Sequence, residues 1–167
     1  MLSTNLPAVK EKNILAFFKG IEADGIGPGN IKRIMDAGFD TVTKIIAMTK
    51  DDLLKVDGFK EKTATKLHNS INERISKSKL HTLMSASNLF GRGFGETRFI
   101  AILSKYPDIL TSNLSNSEKV KLVKNVDGIA ALTAGRFVDN IAKFVQFMND
   151  AELEHILYNT KELDTTV

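Results

Sequence analysis

A Gly-hydrophobe-Gly pattern, sometimes with a substitute for its last Gly, recurs along this chain of 167 residues. The leading glycines are 33, 35 and 35 residues apart, in the triplets Gly25-Ile26-Gly27, Gly58-Phe59-Lys60, Gly93-Phe94-Gly95 and Gly128-Ile129-Ala130. A leading Gly gives the backbone a positive φ angle that other residues adopt only at a cost. If a helix starts directly after each triplet, its unpaired N–H groups and positive dipole end face outward and can bind a phosphate group.

Polar and basic residues accompany every triplet, as a phosphate-binding surface requires. They are Asn30, Lys32 and Arg33 in the first repeat, Lys60, Lys62 and Lys66 in the second, Arg92, Thr97 and Arg98 in the third, and Thr133 and Arg136 in the fourth. Glycines that only cap helices would not explain these side chains. Contacts from backbone amides to phosphate read no base, so binding of a nucleic acid in this way would be independent of its base sequence.

The stretches between the triplets must position them, and their apolar residues have helical periodicity. Leu67, Ile71 and Ile75 recur every four residues, which predicts one buried helix face. A second predicted core stripe consists of Leu132, Phe137, Ile141, Phe144, Val145 and Met148. No stretch alternates apolar and polar residues over a strand length, so the sequence predicts an all-α fold.

Several helix starts are marked by capping residues. Thr49 with Asp52, and Ser115 with Glu118, have the spacing of capping boxes. The pair Asn149 and Glu152 repeats that spacing and predicts a further helix start. Pro28 stands where a first helical turn would begin, a position that tolerates Pro.

Two apolar positions in each repeat are expected to hold the helical hairpin together. The hydrophobe inside the triplet should point inward, as Ile26, Phe59, Phe94 and Ile129. The residue six positions after the leading Gly should pack the second helix against the first, as Ile31, Ala64, Phe99 and Ala134. The motif predicted is therefore a helix-hairpin-helix.

Composition excludes several classes of chemistry. The chain has no cysteine, which excludes disulfides, thiolate-bound zinc, cysteine nucleophiles and iron–sulfur clusters. Its three histidines are too far apart in sequence to suggest a metal site. No apolar run is long enough for a membrane span and no secretory signal opens the chain, so we expect an intracellular protein without membrane contact. The net charge of +3 divides into +7 over residues 1–149 and −4 over residues 150–167.

The order of these motifs resembles the helix-hairpin-helix domain of NAD-dependent DNA ligases. The resemblance extends over roughly residues 12–148 and rests on the segments 17–27, 59–71, 83–87, 93–97 and 122–128. It implies four tandem motifs in two pseudo-symmetric pairs, 12–79 and 80–148, within a DNA-binding domain over 1–148. An acidic helix or tail over 149–167 would follow.

In that family the domain wraps the minor groove around a nick, which implies double-stranded or nicked DNA as the partner. The contacts implied by position are Gly25, Gly27, Gly29, Gly58, Lys60, Gly93, Gly95, Gly128 and Ala130. Lys62, Thr63, Thr97, Arg98, Thr133 and Arg136 would lie at the following helix starts. Lys60 and Ala130 replace a Gly, so we expect the second and fourth hairpins to hold phosphate less closely.

The chain also departs from the family. The adenylation domain and the zinc finger have no counterpart, and the letters Lys55-Val-Asp-Gly58 fall inside a hairpin instead of a nucleotide fold. No cofactor is therefore expected in this chain, and NAD is expected only in a separate adenylation domain or subunit. We expect an excised domain, one subunit of a split ligase, or part of a reduced viral or phage enzyme.

The sequence is compatible with three alternatives. A helix-hairpin-helix lyase or glycosylase would use a residue such as Lys60 or Asp127 beside a hairpin. A helical scaffold would use the apolar positions of segment 151–158 as a partner contact. A stand-alone repair or recombination module would use the same hairpins without a ligase. The expected location is the nucleoid or cytoplasm, or the host cytoplasm for a viral chain.

Overall fold

The computed structural model describes residues 6–91 and 94–158, and within them the secondary structure is helical with no strand, so the all-α prediction is confirmed. The chain divides into two compact units, Met1–Ser78 and Lys79–Val167. The first contains α1 (Pro7–Gly20), α2 (Pro28–Asp36), α3 (Val42–Ile46), α4 (Lys50–Leu54) and α5 (Glu61–Lys77). The second contains α6 (Leu80–Ser87), α7 (Glu96–Lys105), α8 (Asn116–Lys124), α9 (Ala131–Asp139), α10 (Ile141–Asp150) and a 3₁₀ helix (Glu154–Tyr158).

Both predicted capping boxes are present. The Thr49 side chain accepts from the Asp52 N–H, and the Asp52 carboxylate accepts from the Thr49 N–H at 3.0 Å. This last hydrogen bond lowers the pKa of Asp52. Ser115 and Glu118 form the same reciprocal pair at the start of α8. The helix starts at α4 and α8 are thus fixed by local side-chain bonds.

The helix start expected at Asn149 is wrong. Asn149 lies in the last turn of α10, whose buried face continues through Phe144 and Met148. The chain then turns at Glu152, which has a φ of 60°, and enters the 3₁₀ helix. The capping spacing was outweighed here by the apolar stripe, which keeps residues up to Asp150 in the preceding helix.

The first unit is built on apolar helix faces. Helix α1 packs on α2, and α4 packs on α5. The predicted stripe on α5 is buried, with Leu67, Ile71 and Ile75 each at most 6% exposed. Phe17 and Phe18 of α1 are fully buried, and their rings meet edge to face at 5.2 Å.

A buried aromatic cluster forms the core of the second unit. The ring of Phe90 lies 5.1 Å from Phe99, 5.0 Å from Phe137 and 5.6 Å from Phe144. All four side chains are at most 1% exposed. Leu132, expected in the same stripe, is instead 78% exposed. Its position in the first turn of α9 carries it off the buried face, because the stripe on α9 runs through Ala134, Phe137 and Val138.

The segment after α10 packs on its own unit. The 3₁₀ helix contacts α10, and Leu153 and Leu157 are 8% and 2% exposed. The apolar positions that a scaffold protein would offer to a partner are thus mostly used internally. The rest of the predicted acidic tail, 159–167, lies outside the described residues.

An ion cluster joins α1 to the segment before α3. Lys10 Nζ lies 2.7 Å from Oδ2 of Asp40, and Lys44 Nζ lies 3.1 Å from Oδ1. Hydrogen bonds from these two lysines lower the pKa of Asp40 to about 2. Among the described helices, none combines the length and apolar character needed to cross a membrane.

Candidate nucleic-acid interface

The leading glycines adopt the conformation that the motif requires. Gly25, Gly58 and Gly128 have φ angles of 85°, 86° and 84°, each between two helices. In the third repeat the leading Gly93 and the neighbouring Arg92 lie outside the described residues. Gly91, two residues earlier, has a φ of 89°, which the sequence did not predict.

The hydrophobe that follows each leading Gly points into the hairpin in three repeats. Ile26, Phe59 and Ile129 are 9%, 6% and 6% exposed. Phe94 of the third repeat is only half-buried, and its ring stacks on Phe99 at 5.5 Å. The four residues predicted to pack the second helix against the first are fully buried, namely Ile31, Ala64, Phe99 and Ala134.

The third residue of each triplet is the N-cap of the following helix. Gly27, Lys60, Gly95 and Ala130 all have extended backbone, with φ between −113° and −80°. This conformation is open to any residue, and an added Cβ at Gly27 or Gly95 would meet no atom within 4 Å. Lys60 and Ala130 therefore fit the backbone without strain, and their side chains change only the space outside it.

The helices that follow the triplets begin without a side-chain cap. Helices α2, α5, α7 and α9 have none, a property that α1, α6 and α10 share. Helices α3, α4 and α8 are capped by Thr41, Thr49 and Ser115. The first N–H groups of a helix have no partner within it, so an uncapped start leaves donors for an external acceptor. The arrangement can bind an anion at each of these four helix starts.

The predicted side-chain contacts lie on or beside these helix starts. At the second helical position stand Gly29, Lys62, Thr97 and Leu132, all exposed. At the third stand Asn30, Thr63, Arg98 and Thr133, all half-buried. Further along the same helices Lys32, Lys66 and Arg136 are all exposed. The exposed Leu132 is an apolar member of this surface that the sequence had assigned to the core.

Asn30 has a role inside its own hairpin. Its side-chain amide donates a hydrogen bond of 2.8 Å to the carbonyl oxygen of Gly25. Asn30, which was predicted to contact DNA, therefore stabilises the turn. Its side-chain amide already donates a hydrogen bond within the protein.

In the first unit each hairpin turn touches the second helix of the other hairpin. Arg33 of α2 lies over Gly58, and Leu67 of α5 lies 3.0 Å from the place of an added Cβ on Gly25. Ser70 Oγ also donates to the Asp24 carbonyl at 2.9 Å. These reciprocal contacts fix the two uncapped helix starts of this unit relative to each other.

A related contact occurs in the second unit. Lys105 Nζ donates to the Asn125 carbonyl at 2.9 Å, which ties the end of α7 to the turn before α9. Arg136 of α9 lies 3.4 Å from the place of an added Cβ on Gly91. Nothing in the sequence distinguishes Lys105 from the other lysines, but in the structure it stabilises a hairpin turn.

Two acidic residues stand at the first helical position, next to the uncapped starts. Glu61 Oε1 is bound by Lys50 Nζ of α4 at 2.5 Å. Glu96 Oε2 is bound by His81 Nδ1 at 2.9 Å and by Thr82 Oγ1 at 3.1 Å, both from α6. Neither pair was predicted from the sequence, because the partners are 11 to 15 residues away.

Residues considered for other chemistry lie on the surface. Lys60 and Asp127 are exposed, and they belong to different units. Lys55 is the C-cap of α4 and is exposed, and Gly58 is the turn residue of the second hairpin. The letters from Lys55 to Gly58 thus belong to a helical hairpin, as expected.

The fold and the sequence define the same class of domain. Residues 21–73, which contain the first two hairpins, match the family model of the SAM-like helix-hairpin-helix tandem. The assignment of two further motifs to residues 80–148 stays a prediction.

Similar proteins include viral ones that are named DNA ligase or putative DNA ligase. The chain is 36% identical over 138 residues to a DNA ligase of Acanthamoeba polyphaga mimivirus, covering 81% of this chain and 22% of that protein. It is 28% identical over 123 residues to the putative DNA ligase 205R of Invertebrate iridescent virus 6, covering 74% and 19%. It is 31% identical over 99 residues to the putative DNA ligase 052L of Invertebrate iridescent virus 3, covering 59% and 13%.

The resemblance to the helix-hairpin-helix domain of a DNA ligase is thereby confirmed. The chain spans about a fifth or less of the length of these relatives, at 22%, 19% and 13%.

Proposed function

We propose that this chain binds duplex DNA through the backbone phosphates, as the DNA-gripping part of an NAD-dependent DNA ligase. The observation that carries the proposal is that an uncapped helix start directly follows each of the four triplets, at α2, α5, α7 and α9. Each is preceded by an extended N-cap residue, and at Gly27 and Gly95 the space outside is open. A phosphate oxygen is the acceptor that such a start accommodates best.

The basic side chains support the same ligand. Lys32, Lys62, Lys66 and Arg136 lie within two turns of these starts, and residues 1–149 carry a net charge of +7. Backbone N–H groups and lysines contact phosphates and carry no information on base sequence. Binding is therefore independent of sequence and follows the shape and charge of the duplex.

The ligase context rests on the relatives named DNA ligase. Nucleotide chemistry would reside in an adenylation domain or subunit outside this chain, with NAD as its cofactor. In the part of the chain that the structure describes, the only lysine in a Lys-x-Asp-Gly setting lies in a hairpin turn, where no nucleotide fold surrounds it. This chain would hold the nicked duplex while its partner acts, inside the cell or the host cytoplasm.

The experiment is a salt titration of DNA binding by fluorescence anisotropy. Labelled nicked duplex, intact duplex and single strand are titrated with the full chain at several salt concentrations. If roughly four to eight phosphates are neutralised, log K falls with log salt at a slope of about −4 to −7 for duplex. A slope near zero, or equally weak binding to all three DNAs, contradicts the proposal.

A second arm tests the ligase context. The same titration is repeated with a candidate adenylation subunit added. We expect preference for nicked over intact duplex to increase, because the partner adds contacts at the nick. DNA binding that persists without any effect of such a partner favours a stand-alone repair or recombination module.

A further inference from the structure

An acidic side chain next to an anion-binding helix start is unfavourable for anion binding. Helices α2 and α9 begin with Pro28 and Ala131, but α5 and α7 begin with Glu61 and Glu96. A carboxylate at this position interacts favourably with the helix dipole and can occupy the N–H groups itself. It would also repel an incoming phosphate.

In the structure neither carboxylate caps its own helix. Helices α5 and α7 have no side-chain cap, and both carboxylates are bound by a side chain of an earlier helix. The pair of Lys50 and Glu61 lies at the surface, where its side chains are 40% and 70% exposed. Surface pairs of this kind contribute little and rearrange easily.

The pair of His81 and Glu96 is different, because its histidine is buried. His81 is 4% exposed, and its Nε2 atom is buried without a hydrogen-bond partner among the described residues. Since a carboxylate only accepts, Nδ1 must be the donor to Glu96. Nε2 does not stabilise this ring position, because burying an unpaired polar atom is unfavourable. The ring is therefore held in place by packing and by the hydrogen bond from Nδ1 to Glu96.

We propose that His81 is a positioning residue that keeps the Glu96 carboxylate away from the N–H groups at the start of α7. Thr82 assists by donating to the same carboxylate oxygen at 3.1 Å. The helix start then stays open for a DNA phosphate. This inference rests on the proposed DNA binding at that helix start.

The test is a double-mutant cycle on binding of nicked duplex at fixed salt. His81→Phe keeps a ring of similar size and removes the donor, and Glu96→Gln removes the charge. We expect His81→Phe to weaken binding about three- to tenfold, the size of a helix-terminus charge effect. The double variant should bind as tightly as Glu96→Gln, because a neutral amide neither repels phosphate nor competes strongly for the N–H groups.

Two further variants keep the test decisive. His81→Asn retains a donor at the position of Nδ1 and should bind nearly as tightly as the unmodified chain. If His81→Phe does not fold, Thr82→Val takes its place. Adding Glu96→Gln to that variant should again recover the lost DNA affinity. A double variant as weak as the single one indicates a purely structural role and overturns the inference, as does unchanged binding by the single variant. Absence of binding by the unmodified chain overturns the proposed function itself.

Discussion

The guanidinium group of Arg33 lies over Gly58, so that an added Cβ at Gly58 would approach Arg33 Nη1 to well under 3.0 Å. Arg33 belongs to the second helix of one hairpin, and Gly58 is the turn residue of the next. The contact, with its counterpart between Leu67 and Gly25, couples the two hairpins of the first unit. A change at the turn of one hairpin therefore alters the position of the helix start in the other hairpin.

The first prediction concerns this turn. Gly58→Ala should destabilise the chain by about 1–2 kcal/mol, because the φ of 86° is unfavourable for a residue with a Cβ. It should also displace Arg33 and weaken DNA binding. The measurement is urea unfolding together with anisotropy.

Gly27→Ala is the matched control for Gly58→Ala. Gly27 has a φ of −97°, and an added Cβ there meets no atom within 4 Å. Its stability should change by less than about 0.5 kcal/mol. Equal destabilisation of the two variants would contradict the assigned role of Gly58.

The second prediction concerns the cations at the helix starts. Lys62→Ala should weaken binding to duplexes of every sequence and reduce the salt slope by about 1, with little change in folding. Arg98→Ala is expected to weaken binding in the same way. Lys12→Ala, on an exposed position of α1, serves as the control. Loss of the folded state in both Lys62→Ala and Arg98→Ala would instead indicate a structural role.

The third prediction uses the low pKa of Asp40. Because its folded pKa of about 2 lies below the ordinary value of 3.8, the stabilisation is present above pH 3.8 and is lost as pH falls toward 2. Asp40→Asn should lower the free energy of unfolding by up to about 1 kcal/mol at neutral pH. The difference should shrink at low pH.

Chemical denaturation at several pH values measures this dependence. Asp36→Asn, an exposed position on α2, provides the control for removing a negative charge. A difference between Asp40→Asn and the unmodified chain that stays constant with pH would show that the ion cluster does not act as described.

The fourth prediction concerns the aromatic cluster. Phe90→Ala should cost about 3–5 kcal/mol, because it removes a fully buried ring that packs against the rings of Phe99, Phe137 and Phe144. Tyr158→Ala, at a site 65% exposed, should have little effect. Thermal unfolding of both variants compares the two sites, and similar melting temperatures would argue against a core centred on Phe90.

The fifth prediction addresses the lyase alternative. Lys60 is exposed at an N-cap, so it lacks the enclosed pocket that a base-flipping lyase needs. Borohydride added to the chain on abasic DNA should trap no covalent adduct. A trapped adduct that disappears in Lys60→Ala would establish lyase chemistry.

Much of the hairpin geometry could be predicted from the sequence, because it depends on local requirements. Positive φ at Gly25, Gly58 and Gly128 follows from the residue type and its setting, and the capping boxes follow from fixed spacing. The fully buried positions Ile31, Ala64, Phe99 and Ala134 follow from one helical register.

The remainder depends on contacts between distant residues. Glu96 is bound by His81, and Arg33 lies over Gly58, and no spacing rule indicates either contact. Leu132 shares a helical period with the core, but its place in the first turn of α9 leaves it exposed. At Asn149 a capping spacing occurs within the end of a helix, where the apolar stripe decides the structure.

DNA phosphates are proposed to bind at the starts of the helices that follow the triplets. Thr97 and Ser117 both occupy the second helical position, in α7 and α8, but only α7 follows a triplet. An Asp at either position is favourable for the helix, so neither variant should lose stability.

The decisive measurement is the affinity of Thr97→Asp and Ser117→Asp for nicked duplex at one salt concentration. We predict that Thr97→Asp binds roughly five- to tenfold more weakly, because its carboxylate repels phosphate at that start. Ser117→Asp should bind like the unmodified chain. Equal affinities of the two variants would contradict the claim that these helix starts hold the DNA.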